Sequence, residues 1–75
     1  MNQLIRIRID TLLAERGLKW SKIYRELGIS KGRASLIRNG HKIPPLAVRI
    51  SIAQALNCDT SVIWGEEFFK EARHE

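Results

Sequence analysis

The chain has 75 residues, with 13 Lys and Arg against 8 Asp and Glu, a formal charge of +5 and a single cysteine. A chain this short makes one small domain that buries only about 60% of the surface its unfolded form exposes, which leaves no room for a deep substrate cavity. Cys58 alone excludes an intramolecular disulfide, its spacing from His41 and His74 fits no zinc pattern, and no apolar run approaches the roughly 20 residues that span a bilayer.

The first segment, NQLIRIRIDTLLAERG, carries two periodicities. Ile5, Ile7 and Ile9 alternate as in a strand, but Ile5, Ile9, Leu12 and Leu13 form a helical stripe that outlasts the alternation, and Ala14, Glu15, Arg16 then Gly17 read as a helix end. A helix capped by Asn2 is expected, with Ile7 on the wrong face, partly exposed or against a second subunit. In LKWSKIYRELG, residues Trp20, Ile23, Tyr24 and Leu27 form a compact apolar face on a two-turn helix, which Gly28 leaves in a left-handed conformation. Gly28, Ile29 and Ser30 then connect to SKGRASLIRNG, where Ala34 and Ile37 face inward and Gly40 closes the helix. Ser30 suits the N-cap, because its hydroxyl accepts a bond from the amide of Gly32 or Arg33. Two short helices joined by so short a turn cross steeply, as in a helix-turn-helix.

HKIPP is a loop, and Pro45 suits the first turn of a fourth helix because its missing N–H sacrifices no bond there. Along LAVRISIAQALN the inward stripe is Val48, Ile52, Ala53 and Leu56. A fifth, shorter helix runs from a cap at Asp59 or Thr60 through Val62, Ile63 and Trp64 to Gly65. In EEFFKEARHE, residues Phe68, Phe69 and Ala72 follow Trp64 at helical spacing, as a further helical turn or a frayed tail. The expectation is an all-α fold of five helices over residues 1–65, followed by a tail at 66–75 that extends a dimer contact.

Charge is unevenly placed. Eleven of the 13 cations lie in residues 1–49 with only Asp10, Glu15 and Glu26 against them, whereas the last seventeen residues are acidic. A basic body with an acidic tail is the electrostatic footprint of a nucleic-acid binder, although basic solvated surfaces are common. The third helix sharpens this. Its first turn holds Lys31, Gly32 and Arg33, although a helix N-terminus carries about half a positive charge and disfavours cations, and Gly costs about 1 kcal/mol relative to Ala in a helix interior. An anion opposite that turn makes those residues sensible.

LLAERGL, IYRELGIS, SLIRNG, the proline loop and IAQALNC followed by a short helix together resemble the lambda-repressor-like helix-turn-helix domains (XRE-type) of phage repressors and Cro proteins. The resemblance covers about residues 4–65, and its turn position, the length of its third helix, the Asn39-Gly40 pair and Ala53 with Leu56 all fall in register. It implies that the helix from Ser30 to about Arg38 enters the major groove. With Ala34 and Ile37 inward, Lys31, Gly32, Ser35, Leu36 and Asn39 lie outward and Arg33 sits at the border. Lys31 and Arg33 suit guanine O6 or N7, though Arg33 equally suits a phosphate. Leu36 either packs on a thymine methyl or is simply exposed. Gly32 stands where the family often has a base-reading side chain, so here it permits close backbone approach.

The resemblance also implies backbone contacts from Lys19, Trp20, Ser30, Asn39 and Lys42. Here the chain departs from the family, which commonly has Ser or Thr then Gln where Lys19 and Trp20 stand. Lys19 reaches a phosphate but cannot cap, so Ser21 is expected to cap a slightly shorter helix. Trp20 either lays its indole N–H on the sugar-phosphate backbone or completes the core, and Tyr24 replaces a usually small residue. Val62, Trp64, Phe68 and Phe69 are the expected dimer interface, with Trp64 and one Phe also able to cap the monomer core.

The expected function is therefore a sequence-specific regulator of transcription, of phage or prophage repressor type, binding double-stranded DNA as a cytoplasmic homodimer. It needs no cofactor, metal, membrane or small-molecule substrate. The alternative is a protein-interaction module or antitoxin-like partner on the same fold, which would not need a basic recognition face. An enzyme is disfavoured because no Ser-His-Asp, Cys-His, paired-carboxylate or phosphate-loop arrangement is present.

Overall fold

The computed structural model describes residues 3–65, and over them the chain is all-helical. Five helices follow one another: α1 (Gln3–Arg16), α2 (Trp20–Glu26), α3 (Lys31–Arg38), α4 (Leu46–Ala55) and α5 (Thr60–Ile63). The helical stripe of α1 prevails over its strand-like alternation. Ile5, Ile9, Leu12 and Leu13 are buried on one face, and Ile7 stands opposite them, 57% exposed. Asn2, the expected cap, lies outside the described residues, as do Phe68, Phe69 and Ala72 with the rest of 66–75.

Four helices end by the same device. After α2, the amide of Gly28 donates to Arg25 O at 3.1 Å and that of Ile29 donates to Tyr24 O at 2.9 Å, which satisfies two carbonyls of the last turn. The closure requires a left-handed residue, and Gly28 supplies it at φ +72 without a side-chain penalty. Equivalent pairs of bonds end α1 at Gly17 and Leu18, α3 at Gly40 and His41, and α4 at Asn57 and Cys58. Asn57, at φ +57, is the only non-glycine residue with positive φ among those described. Asn is the side chain that best tolerates this conformation.

The helix starts are less uniform. Ser30 caps α3, its hydroxyl accepting from the amide of Arg33 at 3.3 Å. At α2 the expectation is corrected. The helix begins at Trp20, Lys19 occupies the cap position without a side-chain bond, and Ser21 lies inside the first turn. The amides of Lys22 and Ile23 bond the Lys19 carbonyl, so the backbone starts the helix without a hydroxyl. Pro45 likewise stands at the cap position of α4, extended at ψ 159, one residue before the helix it was expected to begin. Asp59 precedes α5 and makes no side-chain cap bond.

The core joins all five helices. Ile5 and Ile9 of α1, Ile23 of α2, Ala34 and Ile37 of α3, Ile52 and Leu56 of and after α4, and Ile63 of α5 are buried together. Trp20 of α2 and Trp64, just after α5, are buried in the same cluster. Trp20 packs edge-on against Tyr24, with ring centroids 6.2 Å apart and planes at 62°, which is how the larger residue at 24 is accommodated. Helix α5 rests on α1 and α4, while α3 rests on α1 and α2. The Arg8 guanidinium donates to Ile63 O at 3.0 Å, and Arg49 donates to Pro44 O at 2.8 Å, so two cations of the basic body secure a helix end and a loop.

Ile37→Ala is expected to destabilise the fold by about 2–5 kcal/mol, since it empties a fully enclosed site in a small core. Ile7→Ala, on the exposed face, is expected to change stability by less than about 0.5 kcal/mol. Chemical denaturation of the two variants beside the parent measures both.

Candidate nucleic-acid interface

Helix α3 is held by its inner face and presents the other. Ala34 and Ile37 have no exposed surface, whereas Lys31, Gly32, Arg33, Ser35 and Leu36 are all exposed. Leu36, 44% exposed, is an apolar side chain left outward in the middle of a polar row. No acidic residue lies in the first turn, so Lys31 and Arg33 meet the positive end of the helix without compensation.

The flanks of this face carry the remaining polar groups. Lys19 and Ser30 are exposed immediately before α2 and α3. Asn39 ends α3, half-buried, with Nδ2 donating to Ser35 Oγ at 3.3 Å, which orients the amide along the outer row. Lys42 is exposed in the following loop, and the amides of His41 and Lys42 both donate to Leu36 O, at 2.9 and 3.2 Å. That carbonyl holds the loop against the end of α3.

Two of the expected contact residues sit elsewhere. Trp20 is only 7% exposed and its Nε1 is buried, so its indole completes the core instead of lying on a phosphate. Trp64 is 3% exposed and packs in the same core, so it is withdrawn from the expected dimer surface; Val62 beside it is 45% exposed. Burial of an aromatic ring stabilises a small domain so strongly that the interior takes both tryptophans. Phe68 and Phe69 lie outside the described residues.

One cluster was missed by the sequence reading. Arg38 Nε donates to Asp10 Oδ1 at 2.8 Å, tying α3 to α1, and Arg6 Nε lies 3.6 Å from Asp10 Oδ2. The available signal was that Asp10 is one of only three acids in the basic body. Its pairing with a residue 28 positions away has no local signature.

A family model for the Cro/C1-type helix-turn-helix DNA-binding domain matches residues 8–61, well over half of the chain. The chain belongs to the Cro/C1-type helix-turn-helix family. Comparison with curated proteins and with solved structures finds no match. A Cro/C1-type domain is a DNA-binding module of transcription regulators, and the matched residues run from α1 into α5, so they contain the whole of α2, the turn and α3. No helix among the described residues is long and apolar enough to cross a membrane. Burial pushes the Cys58 thiol up from its ordinary value, the opposite of what activates a cysteine nucleophile.

Gly32 has an ordinary helical backbone, and a Cβ placed on it would meet nothing within 4 Å. Gly32→Ala is therefore expected to stabilise the free protein by roughly 0.5–1 kcal/mol. Thermal melting of the two proteins in the absence of nucleic acid checks this, and a lowered midpoint would contradict the open space around Gly32.

Proposed function

We propose that the chain is a sequence-specific transcriptional regulator of phage or prophage repressor type, which acts in the cytoplasm as a homodimer on double-stranded DNA. The observation that carries this reading is the outer face of α3, where exposed Lys31, Gly32, Ser35 and Leu36 stand in one row with two cations on an uncompensated first turn. In the major groove, Lys31 donates to guanine O6 or N7, Leu36 packs on a thymine methyl and Ser35 bonds a neighbouring base edge. Arg33 reads a guanine or braces a phosphate from the same turn. Gly32 lets the α3 backbone close on the groove floor.

Register comes from the flanks, because half or more of the hydrogen bonds in such interfaces go to phosphate and sugar. Lys19, the free O–H of Ser30, the Asn39 amide and Lys42 take those roles. One domain reads few base pairs, and pairing across a two-fold axis places two copies of α3 about one helical turn apart. Val62, with Phe68 and Phe69 of the tail, supplies the apolar contact of that pairing. Residues 1–65 are then the DNA-binding domain and 66–75 its dimer extension, and no cofactor enters.

Selection from a random duplex pool is the deciding experiment, with a two-fold symmetric consensus expected. Lys31→Ala or Arg33→Ala is expected to relax preference at one base pair by about 1–3 kcal/mol, and Lys42→Ala to weaken all duplexes alike. Gly32→Ala is expected to lower affinity although it stabilises the fold. Binding without any consensus would favour an interaction module, an antitoxin-like partner among them.

A further inference from the structure

A crevice of about 770 Å³ opens between α1, α2 and α3, beside the outer face of α3 and sharing Lys31 and Ser35 with it. Four cations line it, Arg6, Lys19, Lys31 and Arg38, and its single acid is Asp10. These five charges are not equivalent. Arg38 is committed to Asp10 by a 2.8 Å bond between α3 and α1, whereas Arg6 reaches the other carboxylate oxygen only at 3.6 Å and its side chain is 56% exposed. An exposed helical pair of that length is weak, so Arg6 can turn to another anion at little cost. One carboxylate divided between two guanidiniums leaves the crevice positive, and Lys19 before α2 and Lys31 on α3 add to it.

We propose that this crevice is a seat for a backbone phosphate of the bound duplex, with Arg6 as the cation that takes it and Asp10 as the acid that limits its strength. The proposal rests on α3 being the recognition helix. When α3 enters the groove, the rim at Lys31 and Ser35 brings one sugar-phosphate strand along the mouth of the crevice. The Arg6 guanidinium presents a planar fork of donors that matches a phosphate, and Ser21 and Asn39 on the walls offer further polar groups. Asp10 holds two arginines in place between encounters with DNA. It also opposes a phosphate at the same site, so it keeps binding to arbitrary duplexes weak.

The test measures affinity for a selected consensus duplex and for an unrelated duplex across a salt series, with Lys42→Ala as the reference for an ordinary phosphate contact. Arg6→Ala and Arg6→Gln are expected to weaken both duplexes alike and to lower the magnitude of the salt slope by about 0.9, so their deficit shrinks about threefold between 50 and 200 mM salt. Arg6→Lys is expected to keep the slope. Asp10→Asn, which keeps an acceptor for Arg38, is expected to tighten both duplexes.

An unchanged slope in Arg6→Ala, with Lys42→Ala still lowering it, would overturn the seat and leave the DNA-binding reading intact. A loss confined to the consensus would overturn it too, by making Arg6 a base reader. A parent protein that binds no duplex would remove both readings together. Inorganic phosphate alone, against chloride of equal ionic strength, is expected to leave the amide resonances of Arg6, Asp10 and Lys19 unmoved. Shifts confined to them would make the crevice a free-anion site instead.

Discussion

The seating of α3 through Ala34 and Ile37 is the constraint on which the outer surface depends. A helix of eight residues has little stability of its own, and its first turn is electrostatically unfavourable. It exists because two fully enclosed side chains, the Ser30 cap and the Arg38 bond to Asp10 hold it in one orientation. Each of these contacts lies on the inner side or at an end of the helix. Apart from the bond that Ser35 accepts from Asn39, the outer row carries little structural duty, and its composition can follow the needs of a ligand.

The +5 charge does not translate directly into contacts with DNA. Arg8 and Arg49 each donate to a backbone carbonyl, and Arg38 is bound to Asp10. Arg8 and Arg38 serve the monomer as crosslinks between segments far apart in sequence, which matters in a domain without a disulfide, and Arg49 fastens the loop just before its own helix. The cations exposed around α3, by contrast, are mostly lysines on flexible stems, together with Arg33 on the first turn and Arg6 at the crevice. Division of the basic residues between bracing and display is a property of the folded chain that no count of charges reveals.

Periodicity and capping made most of the fold legible. The stripe Ile5, Ile9, Leu12 and Leu13 outweighed an alternation that would have suggested a strand, and Ser30 lay where a hydroxyl was needed. The start of α2 at Lys19 is not legible in the sequence, because a backbone carbonyl can begin a helix without help from a side chain. The place of both tryptophans is not legible in the sequence, since an indole suits a phosphate or a partner as well as a core, and only packing decides between them. The Asp10 cluster was invisible because its partners meet through the tertiary fold. The outward row of α3 is readable from spacing alone, as it depends on nothing beyond the rotation of a helix between Ala34 and Ile37, whereas its base-reading role is what the family resemblance implies.

The repeated closure of α1, α2, α3 and α4 bears on how the chain reaches this structure. Each of these four helix ends is closed by a pair of bonds that span three and five residues, so the closure brings no distant segments together. Topologies rich in such local contacts lose little loop-closure entropy before contacts form, and they fold on the microsecond to millisecond scale. A regulator whose corners assemble so locally passes quickly through the states in which its apolar stripes are open to other chains.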